Sequence, residues 1–154
     1  PSWSRLQSGA CAKTAPVATD ALCVTKGAAV IGARIAEPAM RAIARGTSGD
    51  AASLTFTYRG DTDATKQLAS GQLRRQLGLK LRAEDGCNLI YVMWRLAPEA
   101  GVEVSVKRNP GHRRHSECGT AGYTAIEPRE RVVVPRLRTG TSHTLHAEIV
   151  ADAG

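Results

Sequence analysis

Aromatic residues make up only 4% of the 154-residue chain, and Trp3, Phe56, Tyr58, Tyr91, Trp94 and Tyr123 are the whole supply. Binding of single-stranded nucleic acid leans on exposed aromatic platforms, so this scarcity argues against a specific nucleic-acid partner. Long apolar runs are also lacking. The stretch Leu89 to Trp94 is among the longest, far short of the roughly 20 residues that a membrane helix needs, so no transmembrane segment is expected. The opening Pro-Ser-Trp has no Met and no basic-then-apolar leader, which reads as a trimmed start. No Gly-x-Ser-x-Gly elbow, phosphate loop or dinucleotide fingerprint occurs, and Ser70 and Ser116 have no base or orienting group nearby in sequence. Acyl transfer therefore has no support here.

What is present describes one chain of ordinary globular composition, 42% hydrophobic and 23% charged, with 21 Lys and Arg against 14 Asp and Glu. The net charge of +7 is enough to attract polyanions without specificity. The four cysteines, Cys11, Cys23, Cys87 and Cys118, are even in number and contain no Cys-x-x-Cys pair. That pattern favours cystines in an oxidising compartment, hence a secreted, periplasmic or cell-envelope location. Three pairings are open, and proximity along the chain favours Cys11 with Cys23 and Cys87 with Cys118.

Residues 1–20, rich in Ala, Ser, Thr and Pro, read as an extended leader, and residues 21–154 as one domain. Short strands are predicted around 22–26 and 39–45, with a helix from Pro38 to Gly46 as the alternative. From residue 52 the apolar period is two: Leu54, Phe56 and Tyr58 alternate with Ser53, Thr55, Thr57 and Arg59. Leu77, Leu79 and Leu81 alternate with Gln76, Lys80 and Arg82, and Glu84-Asp85-Gly86 then supplies a hairpin turn. Residues 88–96 are apolar on both faces, as expected of a central strand with Tyr91 and Trp94 both inside. Val102, Val104 and Val106 form a further amphipathic strand, a Gly-rich loop covers 112–122, and strands at 131–134 and 143–150 complete an antiparallel β-sandwich.

Gln76 to Gly111, in particular GLKLRAEDGCNLIYVMWRL followed by VEVSVKRNPG, resembles the sheet-building half of concanavalin A-like, laminin-G-like jelly-roll domains of secreted bacterial proteins. The resemblance lies in strand length, turn placement and the Cys-Asn-x-x-Tyr-Val-x-Trp string. It implies an all-β, two-sheet jelly-roll with lectin-like or glycosidase relatives. Such domains tend to be longer, so the chain reads as a fragment short of one or two strands at its C-terminus. The glycosidase branch carries a Glu-x-Asp-x-x-Glu or Glu-x-Asp-x-Glu strand, which is missing here and weakens the hydrolase reading.

Three further constellations bear on chemistry. His112, His115 and Cys118, with Cys87 as a fourth ligand, hold the inventory of a zinc site, against which a Cys87–Cys118 cystine is favoured. Asp61 and Asp63, or Glu84, Asp85 and Asn88, offer oxygens to calcium, but neither loop alone supplies the ligands of a full site and turn-forming acids are the commoner reading, so no cofactor is expected. Glu103, alone among acids at mid-strand, is expected to pair with Lys107 or Arg82.

The strongest surface signal is positive charge. Lys80, Arg82 and Lys107 share the polar parity of their strands, with Arg108, Arg113 and Arg114 at the rim, and Arg129, Arg131, Arg136 and Arg138 form a second cluster. These residues point to a non-catalytic binding module for a glycan, another polyanion or an envelope surface. A carbohydrate-active hydrolase and an inert structural domain are the alternatives.

Overall fold

The computed structural model describes residues 16–17, 20–21, 49–61, 67–68, 70–130 and 133–151. The chain divides into two compact units, one formed by Pro1–Thr47 with Asp61–Lys66 and the other by Ser48–Gly60 with Gln67–Gly154. In the first, β1 (Pro16–Val17) and β2 (Asp20–Ala21) form a minimal antiparallel ladder. The expected strands at 22–26 and 39–45 and both members of the Cys11–Cys23 pair lie outside the described residues.

The second unit carries the remaining elements. They are β3 (Ala51–Thr57), β4 (Arg75–Leu81), β5 (Leu89–Ala97), β6 (Gly101–Lys107), a single helical turn α1 (His115–Cys118), β7 (Tyr123–Ile126) and β8 (Ser142–Glu148). Strands β4 to β7 form an antiparallel meander in chain order, and β3 pairs antiparallel with β8 from the far end of the chain. The all-β, antiparallel expectation therefore holds.

Strand alternation sorts the side chains. Leu77, Leu79 and Leu81 of β4 lie opposite Trp94, Val92 and Ile90 of β5, placing one continuous apolar face on the meander. Leu81, Val92 and Trp94 are buried against Leu145 of β8, with Phe56, Leu54 and Ala52 of β3 in register with His143, Leu145 and Ala147. The two sheets thus share a core, which is where most of the stabilising apolar burial resides. At its centre the Phe56 and Trp94 rings meet edge to face at 5.8 Å. His143 stacks on Phe56 at 5.7 Å, and its Nε2 is buried with no hydrogen-bond partner among the described residues.

The sheets are also joined by backbone. Gly49 has a φ of 74°, and a Cβ there would lie 2.9 Å from the Arg82 nitrogen, so only glycine allows the amide of Arg82 to donate to its carbonyl at 2.9 Å. Arg82 leaves β4 at a φ of 43°. The positive φ of the β4–β5 connection thus falls on Arg82 and not on Gly86. Gly86 serves a different purpose there, since a Cβ on it would come within 3.2 Å of the His115 nitrogen.

Three sequence expectations are corrected. Of the strand expected at 131–134, residues 131 and 132 lie outside the described residues, while 133 and 134 form no strand and Val133 is 92% exposed, next to Pro135, which has no amide hydrogen to give a ladder. The loop expected over 112–122 contains α1, and β7 follows it. Tyr91 is not in the core: β5 places it on the opposite side of the sheet from Trp94, which is 5% exposed.

Candidate ligand-binding surface

A cystine fixes the end of the meander where β5 begins. Cys87 and Cys118 are bonded with their Cα atoms 5.9 Å apart, tying the β4–β5 turn to α1 and leaving both thiols unavailable as zinc ligands. Among the described residues, no group of three or more His, Cys, Asp or Glu side chains is arranged to hold a metal ion.

Polar side chains complete the clamp. One Asp85 carboxylate oxygen accepts from the amides of Cys87 at 2.7 Å and Asn88 at 2.8 Å, and both oxygens accept from the Asn88 side chain at 3.1 Å. The Cys87 amide chiefly holds the Asp85 carboxyl below the usual carboxylate range, helped by Asn88 and by the charge of Arg113 and opposed by partial desolvation. Asn88 also donates to the His112 carbonyl, and its side-chain oxygen accepts from the Asn109 amide. Asn109 in turn donates to the carbonyls of Cys87 and Ala121. Glu117 closes the other side by accepting from the amides of Arg113 and Arg114, each at 2.9 Å. The Arg114 amide, then that of Arg113, pulls its carboxyl below the ordinary value.

The loop from Arg108 to Gly122 is therefore tightly held in backbone while its arginines point outward. Arg108, Arg113 and Arg114 are all exposed. Arg108, His112 and Arg113 line a cleft of about 440 Å³ together with Glu84 and Asp85.

The strand residues expected to extend this basic surface behave differently. Parity places Lys80 and Lys107 on the same outer face of the meander, opposite Tyr91 and Leu89 of β5 respectively. Lys107, however, is 1% exposed. Its ammonium donates to the Gly119 carbonyl at 2.6 Å, lies 3.4 Å from His115 Nδ1 and sits 5.0 Å from the centre of the Tyr123 ring. It is an internal strut of the loop. Arg82, already outside the strand, donates from Nε to Asp50 at 2.6 Å. Lys80 lies over the Tyr91 ring at 5.1 Å.

Glu103 pairs with neither Lys107 nor Arg82. It bridges Arg74 and Arg95 at 3.2 Å each, because Arg95 is its near neighbour on β5 while Lys107 turns into the loop. Glu148 belongs to the other sheet, where its carboxylate lies 4.0 Å from His146 Nε2. Ser53 and His146, paired across β3 and β8 at 2.6 Å, form a contact that their separation of 93 residues kept out of view in the sequence.

Sequence reasoning also missed a pair of tyrosines. Tyr91 and Tyr123 meet on the outer face of the meander with ring centres 5.6 Å apart and hydroxyls 3.3 Å apart. The only available signal was the shared parity of Tyr91 with the partly polar side of its strand. No family model, curated protein or solved structure matches this chain.

Proposed function

We propose that the chain is a non-catalytic, extracytoplasmic binding module that captures an anionic polymer, foremost an acidic glycan, on a scaffold of the concanavalin A-like jelly-roll kind. The observation that carries this reading is the loop of Arg108, Arg113 and Arg114, three exposed guanidinium groups on a backbone held by the Cys87–Cys118 cystine and by the Asp85 and Glu117 carboxylates. Guanidinium forks recognise carboxylate and sulfate groups through paired hydrogen bonds, and a pre-organised loop loses little conformational entropy on binding. The net charge of +7 adds long-range attraction. The cystine favours an oxidising compartment, and no helix of the described residues is long and apolar enough to cross a membrane. Two antiparallel sheets sharing one core support the sandwich.

Retention on immobilised heparin or alginate across a salt gradient tests the proposal. Elution should move to markedly lower salt when Arg108, Arg113 and Arg114 are replaced together by Ala, since exposed charges a Debye length apart are screened. Retention no greater than that of a neutral protein, or unaltered by the triple substitution, overturns it.

A further inference from the structure

We infer that the outer face of the meander carries a stacking surface for the sugar rings of a polyuronate chain, built from Tyr91 and Tyr123 with Lys80 beside them. The inference rests on the glycan reading above and specifies its ligand class. Tyr91 lies on β5 and Tyr123 on β7, so the two side chains reach across the intervening β6 to meet. Ser105, opposite Tyr91 on β6, is small enough to leave that path open. Lys107, opposite Tyr123, has its ammonium engaged by the Gly119 carbonyl of the loop. The rings are inclined by 33° with centres 5.6 Å apart and hydroxyls 3.3 Å apart, so the pair forms one contiguous aromatic plate.

Lys80, directly opposite Tyr91 on β4, places a positive charge over the Tyr91 ring. From β4 to β7 this surface crosses three strand spacings, about 14 Å, which accommodates a short run of linked rings. Two of the chain's six aromatic residues lie on this face, where Tyr91 is half-buried and Tyr123 remains 46% exposed.

A pyranose ring has apolar C–H faces and a hydroxylated rim. Its faces suit the negative face of an aromatic ring, its rim suits the tyrosine hydroxyls, and a uronate carboxylate suits an ammonium. A nucleobase can stack on the same rings but carries no carboxylate for the ammonium, so an oligonucleotide serves as the competing probe.

The test uses the full chain and three probes at low salt, measured by titration calorimetry: an oligogalacturonate, inorganic polyphosphate of matched charge, and an oligothymidylate. Tyr123→Ala should weaken oligogalacturonate binding about tenfold, as loss of one stacked ring would, and leave polyphosphate binding unaltered. Tyr123→Phe should keep most of the affinity. Because Tyr123 also covers Lys107, Tyr91→Ala provides an independent reading of the same plate should Tyr123→Ala fail to fold. Equal oligogalacturonate affinity in wild type and the Ala variants overturns the plate while the charged-loop reading stands. A Tyr-dependent loss confined to oligothymidylate also overturns it, in favour of a nucleic-acid ligand. Absence of binding by the wild type to all three probes overturns both readings.

Discussion

The Lys107 ammonium and the Gly119 carbonyl are joined by a 2.6 Å hydrogen bond that anchors the end of α1 to the last residue of β6. A lysine chosen only for surface charge would tolerate neutralisation, whereas this one should not. Lys107→Met keeps the aliphatic stem but leaves the carbonyl without its charged donor, and should cost roughly 1.5–3 kcal/mol in urea unfolding. A midpoint equal to wild type would show the contact to be dispensable.

Trp94 is expected to be the costliest aromatic to remove. It sits edge-on to both Phe56 and His143 in the shared core, so Trp94→Ala should destabilise by about 3–5 kcal/mol. Equilibrium denaturation measures this directly, and a loss below about 1 kcal/mol would be incompatible with a ring closed in by both sheets.

His143 is expected to behave in the opposite sense. Its buried Nε2 has no partner among the described residues while its ring stacks on Phe56, so His143→Phe retains the aromatic contact and removes the unsatisfied polar atom. A gain of roughly 1 kcal/mol in thermal or chemical unfolding is the expected result.

Removal of the cystine acts through the unfolded chain. Cys87 and Cys118 are 31 residues apart, for which loop-closure entropy corresponds to roughly 3–4 kcal/mol, so the double Ser variant should melt well below the wild type. Thiol alkylation followed by intact-mass measurement of the untreated protein should leave Cys87 and Cys118 unmodified.

Acid should loosen the arginine loop before it disrupts the core. Asp85 and Glu117 both have folded-state values depressed by backbone amide donors, so their ionised forms favour the folded state. That stabilisation is complete above the unfolded-state values near pH 4 and is lost as pH falls through the lower folded-state values. Protection of the Cys87, Asn88, Arg113 and Arg114 amides, relative to unstructured amides at the same pH, should therefore fall in this window. The Asp85→Asn and Glu117→Gln variants should show a flatter profile.

Strands β3 to β6 and β8 were legible because each has seven or more residues with a period of two or a continuous apolar run. The four residues of β7, just past the Gly-rich stretch, are too few to show a period, and they become a strand through their ladder to Val104–Lys107. Parity correctly placed Lys80 and Lys107 on one face, but it carries no information about what closes over that face. The burial of Lys107 depends on α1 and Tyr123, which are remote from it in spacing pattern. The same limit misplaced Tyr91, since a strand apolar on both sides reads as doubly covered whether or not a second layer exists. Long-range pairs such as Arg82 with Asp50 and Ser53 with His146 leave no periodic trace.

The pairing of β3 with β8 has a consequence for the order in which the unit assembles. Residues 75–126 hold every strand of the meander, so that sheet can register while the chain is still emerging from the ribosome. The second sheet cannot close until Glu148 has been made to meet Ala51. Until then the face bearing Leu81, Val92 and Trp94 lacks Leu145, and loop closure over so many residues slows its capture. The interval between synthesis of Ile126 and of Glu148 is thus the period in which a nascent chain of this protein most needs protection from self-association.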